Sequence, residues 1–435
     1  MQAYFRALLL IGFLVALVAA VPAPNTIQKR GVYKVERAVN PNFKGRNGAK
    51  QLLKSLRKYR MKVSPELMDA IRNQGSTTTA SAAVVDGKFA QANTNSAVAT
   101  NTTVAATNGT GVVTATPEEG DIEYLSPVTI GGQTLNLDFD SGSSDLWVFS
   151  TQLAKTATTG HTLYNPKKST SLKMLQGATW SISYGDGSGA AGNVGTDTVN
   201  IGGATVTKQA IEMATTVAAQ FAEDANSNGL VGLAFSKLNT VKPQQQKTFF
   251  DNVKSSLAEP VFTADLRPSA VGAYTFGNID STKYNGTMTW IPVNTTQGFW
   301  QFASTKFAVG NGKTQAGDAT GQAIADTGTT LIIASPTTVN GYYSQVSGAA
   351  NDASVGGVTF PCDAKLPDLM LDIGGSYMAR VRGEYINYAT VTGNTCYGGV
   401  QASTSDLQIY GDIFFKSQFV AFHGGNNSLG MAEHL

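Results

Sequence analysis

The chain has 435 residues, 42% apolar and 14% charged, with a net charge of +2. That length exceeds one average domain and can supply two sizeable cores. So low a charge excludes a chain disordered throughout, and 46 glycines among many Ser, Thr and Val residues favour β structure with frequent turns over helical bundles.

Arg6 followed by the apolar run Ala7 to Val18 and the small residues Ala19-Ala20 predicts a cleaved signal peptide over residues 1–20. The run is short for a bilayer span, no later stretch is long enough for one, and Leu429 to Leu435 lacks the tail of a lipid-anchor signal. A soluble, secreted, extracellular product is expected, and Lys29-Arg30 fits a dibasic processing site.

Charge is split along the chain. Lys29 to Arg72 holds 13 Lys/Arg against 3 Asp/Glu, whereas residue 105 onward holds 17 against 26. A basic arm can bind nucleic acid or membrane. Behind a signal peptide and ahead of an acidic body, its expected partner is instead intramolecular, a cationic segment over an anionic cleft. As pH falls the body carboxylates take up protons and the attraction weakens, so acid is expected to release the arm.

Residues 47–72 read as helical, with Leu52, Leu53, Leu56 and Met61 near helical spacing and Ser64-Pro65-Glu66 starting a further turn. Residues 75–116, rich in Thr, Ala, Asn, Ser and Gly, read as a linker. The expected organisation is a basic propeptide and linker over 21–107, one lobe over 108–283 and a second over 284–435, with the mature N-terminus in the 100–112 region.

The body is a series of short β-branched or aromatic runs. Val128-Thr129-Ile130 meets the turn Gly131-Gly132, Thr134 to Phe139 alternates, Trp180 to Tyr184 enters a hairpin tip, and Thr196 to Ile201 meets a second Gly-Gly turn. The best helix candidates are Gln246 to Leu257 and Thr337 to Val346. Cys362 and Cys396, alone in an exported chain, most simply form one disulfide. Those thiols and the scattered His161, His423 and His434 make no ligand cluster, so no metal and no other cofactor is expected. Sequons at Asn101, Asn108, Asn285, Asn294 and Asn426 permit glycosylation.

The body is also written twice. Leu137 to Ser144, an apolar strand running into Asp140-Ser141-Gly142-Ser143, is echoed by Ala323 to Thr330 with Asp326-Thr327-Gly328-Thr329. Leu230-Val231-Gly232 is echoed by Ile409-Tyr410-Gly411. Two lobes built alike, each supplying half a site, is the economical explanation. Each turn sets a carboxylate on a tight loop, with Gly permitting the backbone conformation and hydroxyls able to bond the opposite loop. One Asp-Ser-Gly string alone is a common solvated turn.

Asp-Ser-Gly-Ser-Ser-Asp-Leu-Trp-Val, Tyr-Gly-Asp-Gly-Ser, Asp-Thr-Gly-Thr-Thr and Tyr-Gly-Asp-Ile-Phe together make the body, from about Glu123 to the C-terminus, resemble the pepsin-like aspartic proteases, most closely the secreted fungal members. The resemblance implies a mainly β, bilobal fold with two related lobes around a central cleft. It implies an acid endopeptidase, made as a zymogen and monomeric, that acts on polypeptide substrates with its own basic propeptide as inhibitor. Asp140 and Asp326 match the catalytic pair, which shares a proton and activates one water. Ser141 and Thr327 match the hydroxyls bracing the two loops, with Ser141 standing where Thr is commoner, and Ser143 and Thr329 match residues bonding the outer carboxylate oxygens. Tyr184, in Tyr184-Gly185-Asp186-Gly187-Ser188, matches the flap tyrosine, and Trp147 the ring supporting it. Asp186 and Ser188 would let the cleft accept Lys before the scissile bond beside large apolar side chains. Phe221, Leu230 and Asp138 are candidate pocket walls. Cys362 and Cys396 match the disulfide of the second lobe, and Lys58-Tyr59 resembles the pair with which related zymogens block the carboxylates.

Two other functions compete. A pepsin-like binding or inhibitor protein without activity would be expected to lack a catalytic Asp, its Gly or the flap Tyr, and none is missing. A carboxylate-pair glycosidase is not suggested by two repeated Asp-hydroxyl-Gly turns.

Overall fold

The computed structural model describes residues 45–75, 109–118, 121–183 and 189–435. The predicted signal peptide, Lys29-Arg30, Asn101, Asn108 and the flap residues Tyr184, Gly185, Asp186 and Ser188 lie outside them.

The arm forms two helices, α1 (Gly48–Lys58) and α2 (Pro65–Gly75). Asn47 caps α1 by accepting from Lys50 N, and Arg60, at φ +54°, breaks the helical path before Ser64 opens α2. Pro65 follows that cap at the position where its missing N–H costs nothing. Leu52, Leu53, Leu56, Met61 and Leu67 are buried, so the arm lays an apolar stripe on the body.

The body is mainly β. Among the described residues its largest sheet has 13 strands, and smaller sheets have five, four and four. The end of the expected linker is a strand instead: Gly111–Pro117 pairs with Ala270–Phe276, because Val113 and Ala115 alternate inward into the core. The sheet runs on through Val261–Arg267 to Gln418–His423 and Ser428–Glu433, so strands from both ends of the body share one layer.

The echoed segments adopt one topology twice. Gln133–Asp140 runs parallel to Gly229–Gly232, which pairs antiparallel with Leu146–Phe149. In the second half Gln322–Ala325 runs parallel to Leu407–Tyr410, which pairs antiparallel with Ile332–Ala334. Each apolar-apolar-Gly element therefore flanks the strand that delivers an Asp.

The two expected body helices are both shorter than the sequence suggests. Phe249–Val253 begins only at its cap Thr248, and a 3₁₀ turn, Lys254–Ser256, follows. Gln246 is kept out of the helix because its N–H donates to Asn239 Oδ1. Pro336–Tyr343 replaces the second candidate, capped by Ser335. Cys362 and Cys396 are joined in a disulfide. Among the described residues no helix is long and apolar enough to cross a membrane.

Candidate active site

Strands Gln133–Asp140 and Gln322–Ala325 end against each other, and the turns that follow are laced together almost symmetrically. Ser141 N donates to Thr327 Oγ1 (3.1 Å) and Thr327 N to Ser141 Oγ (3.0 Å). Each hydroxyl then donates across to the other strand, Ser141 Oγ to Ala325 O (2.8 Å) and Thr327 Oγ1 to Phe139 O (2.6 Å). Ser at 141 makes every bond its counterpart Thr327 makes.

This lacing brings Asp140 and Asp326 together, both almost fully buried. Asp140 Oδ1 accepts from Gly142 N (2.8 Å) and Oδ2 from Ser143 Oγ (2.6 Å); Asp326 Oδ1 accepts from Gly328 N (3.0 Å). The two glycines are needed for space and not for backbone conformation, since neither has a positive φ. A Cβ on Gly142 would lie 2.6 Å from Asp326 Oδ1, and one on Gly328 2.5 Å from Asp140 Cγ. Each turn is therefore shaped to admit the opposite carboxylate.

The arm enters this site. Lys58, at the end of α1, places Nζ 2.8 Å from Asp140 Oδ1 and 2.9 and 3.1 Å from the two oxygens of Asp326. The Tyr59 hydroxyl donates to Asp326 Oδ2 at 2.6 Å, and its ring meets Phe299 edge-on. Thr329 is buried beside Asp326 and its hydroxyl is among the groups that lower that carboxyl, while the Tyr59 hydroxyl donates to Asp326 Oδ2.

Electrostatics follow this geometry. Burial would raise Asp326, but the Lys58 ammonium and the hydrogen bonds around the carboxylate hold it down to about 2. Asp140 goes the other way, raised by burial and by the negative charge of Asp326 against the pull of Lys58. Burial opposes the charge on Lys58, yet the two carboxylates outweigh it and raise its pKa. Burial, and then the Asp326 charge, raise Tyr59, which keeps its proton and donates.

Trp147, expected as the ring behind the flap, is buried against Trp180, with centroids 5.9 Å apart, and meets the candidate pocket wall Phe221 at 5.3 Å. Phe221 and Leu230 pack on the same cluster and are half-buried. Asp138 is buried on the strand that carries Asp140. Asn285, Asn294 and Asn426 are exposed. A group that sequence reasoning missed is Glu118, Glu123 and Asp224, with one carboxylate oxygen of each within 4.8 Å of the others. Three separate segments supply it, so no local spacing announces it.

A family model described as eukaryotic aspartyl protease matches residues 123–434. The chain is 45% identical over 410 residues to endothiapepsin of Cryphonectria parasitica, covering 93% of this chain and 90% of that one. It is 44% identical over 420 residues to penicillopepsin-3 of Penicillium janthinellum, covering 96% of each. With aspergillopepsin-1 of Aspergillus oryzae it shares 50% identity over 331 residues, 75% of this chain and 81% of that one.

Proposed function

Because the chain belongs to the eukaryotic aspartyl protease family and is an aspartic endopeptidase by that kinship, we propose that Asp140 and Asp326 are its catalytic pair and that the arm over 45–75 blocks them in an exported precursor until acid releases it. The observation that carries this reading is the point held by Lys58 Nζ, within hydrogen-bond reach of both carboxylates. An ammonium and a water are of similar size and both bond to carboxylates, so the point that holds the lysine nitrogen also suits a water.

The reaction follows from that position. The ionised member of the pair takes a proton from the water, whose oxygen attacks the peptide carbonyl carbon. The protonated member donates a hydrogen bond to the developing oxyanion, and protonation of the nitrogen lets the C–N bond break. The two groups act as one coupled pair, so neither is given a fixed role. Ser141 and Thr327 keep the turns in register, and Ser143 orients Asp140.

While Lys58 and Tyr59 occupy the site, no substrate carbonyl can approach, and this supports an inhibitory propeptide. Boundaries near residues 20, 107 and 283 belong to the same reading, as does a soluble, monomeric, extracellular product with glycans at exposed sequons. The apolar group of Trp147, Phe221 and Leu230 supports a preference for large apolar side chains. Asp186 adds acceptance of Lys directly before the scissile bond, and unchanged Lys-directed cleavage by Asp186→Ala would remove that part.

Cleavage of a denatured protein at acid pH, blocked by a pepstatin-type transition-state mimic, tests the proposal. A pure, acid-treated protein that binds the mimic yet cuts nothing would instead indicate a binding protein.

A further inference from the structure

The strand Thr289–Pro292 forms one edge of the 13-stranded sheet among the described residues, paired on its inner side with Ser428–Glu433. It carries Trp290, which is 41% exposed, whereas Trp147, Trp180 and Trp300 are buried. The ring is nevertheless held in place. Gly430 stands opposite it, and a Cβ there would come 3.0 Å from Trp290 Cη2, so a bare glycine gives the ring its room. His423 meets the ring edge-on, with centroids 5.8 Å apart. His423 is itself fixed, because its Nδ1 accepts from Gly425 N (3.2 Å) and Asn426 N (3.3 Å). A rigid apolar ring left uncovered on a sheet edge invites association, so it calls for a cover.

The neighbouring turn offers one. Gln418–His423 and Ser428–Glu433 form a hairpin in which His423 faces Ser428 and Ala421 faces Gly430, while Trp290 faces Gly430 from the edge. Alternate residues of a strand share a face, so Trp290, Gly430, Ser428 and His423 lie on one side of the sheet. Asn426 stands exposed in the turn of that hairpin, and Asn427, at φ +52°, closes it. Ser428 Oγ donates to Asn426 Oδ1 at 2.6 Å, which fixes the amide oxygen and leaves Nδ2 with no partner among the described residues. Asn426-Asn427-Ser428 is a sequon, so this free nitrogen is the atom that takes a sugar. The other described sequons differ. Asn285 Nδ2 donates to His434 O at 3.0 Å, and Asn294 Oδ1 accepts from the main-chain Thr296 N rather than from a hydroxyl.

We propose that Asn426 carries an N-linked glycan whose first sugar rests on the open face of Trp290, with the His423 ring beside it. This rests on the reading of the chain as an exported product. Asn426 N and the Trp290 ring both adjoin His423, so a sugar leaving the turn meets the ring next. One face of a pyranose presents C–H groups, and these pack on an indole ring as other apolar groups do. The bond forms during export. Asn426 Nδ2 attacks the anomeric carbon of a lipid-diphosphate-linked oligosaccharide, the carbon–oxygen bond to the diphosphate breaks, the amide loses one proton, and the lipid diphosphate leaves. A glycan is favoured over a second copy of the chain because the nitrogen that bears it stands free beside the ring. Its bulk also keeps other sheets away from this edge.

The test uses the full chain secreted from a eukaryotic host that adds N-glycans, with peptides of the purified product weighed by mass spectrometry. The peptide holding Asn426 is expected to be occupied in most molecules. Trimming the glycan to its first sugar should leave Tm where it was. Asn426→Gln should lower Tm by about 2 °C in the parent and leave that of Trp290→Ala unchanged, because the sugar has lost its ring. Trp290→Leu, which keeps an apolar side chain without a ring face, repeats the comparison. A secreted product with Asn426 unoccupied overturns the inference alone, as does an Asn426→Gln loss of equal size in all three backgrounds. A glycosylated parent that forms dimers, which Trp290→Ala dissolves, overturns it in favour of a second copy on the same ring. A chain retained in the cell with no sequon occupied overturns the export reading and this inference with it.

Discussion

Lys58 and Asp326 are 268 residues apart in the chain, and Lys58 Nζ lies 2.9 Å from Asp326 Oδ2 while also reaching Asp140 Oδ1 at 2.8 Å. One ammonium thus bridges two buried carboxylates supplied by different halves of the body. Removing it leaves like charges facing each other, and breaking a buried pair costs about 3–5 kcal/mol. Lys58→Met should therefore loosen the arm. The uncut Lys58→Met precursor is expected to cleave peptide near pH 6 at least about tenfold faster than the uncut parent, a gain equivalent to about 1.4 kcal/mol. Initial rates recorded before any processing check this. Tyr59→Phe removes one hydrogen bond to a charged group, worth about 1.5–3 kcal/mol against about 3–5 kcal/mol for the buried ion pair, and should loosen the arm less.

Ser141→Ala deletes the acceptor for Thr327 N and the donor to Ala325 O, leaving a buried N–H and a buried carbonyl with one partner fewer. A cost of about 1–3 kcal/mol follows, and a lowering of Tm by several degrees. Ser141→Thr restores the hydroxyl and should lie closer to the parent. Thermal unfolding of the three proteins side by side gives the answer.

Gly142→Ala and Gly328→Ala each drive a methyl group against the opposite carboxylate. Small displacements of reacting groups are costly, so kcat/KM is expected to fall by about 10² or more. Circular dichroism should show an unchanged β spectrum. A variant as active as the parent would mean that the turns do not approach so closely.

Folded stability should decline from mildly acid to neutral pH. Burial, the largest influence on each, raises Asp145 to about 6, Asp138 to about 7 and Glu118 to about 8. A carboxyl raised on folding holds its proton better in the native state. Its stabilisation is complete below the unfolded value, near 4, and is lost as pH rises through the folded value. Asp326 has the opposite sign: held down to about 2, it contributes above the unfolded value, and the contribution is lost as pH falls toward 2. Tm should therefore peak at mildly acid pH and fall on both sides. Glu212→Gln removes the charge that burial and Asp145 oppose, and should flatten the alkaline limb.

The parts of this fold that were legible in sequence are those where a chemical need fixes adjacent residues. An apolar strand, Asp, a hydroxyl and Gly must be contiguous to set a carboxylate against its twin, so both turns and their echo could be read directly. Lys58-Tyr59 was readable only through resemblance, since 13 basic residues compete for the role between Lys29 and Arg72. Features made by distant segments were not readable. Gln246 looked helical, but Asn239 captures its N–H. Gly111–Pro117 looked like linker until Ala270–Phe276 gave it a partner. In sequence the glycines of the turns suggest a conformational need, whereas in the fold they leave room for a carboxylate that comes from the opposite half of the body. The Glu118, Glu123 and Asp224 cluster has no local signature at all.

The most direct measurement is the rate at which acid-treated Asp140→Asn and Asp326→Asn proteins cut a denatured protein, compared with the parent. Each amide keeps the shape of the site but cannot share a proton with its twin, and both rates should fall by at least about 10³. Either variant cutting within tenfold of the parent rate would contradict a water activated jointly by the two carboxylates.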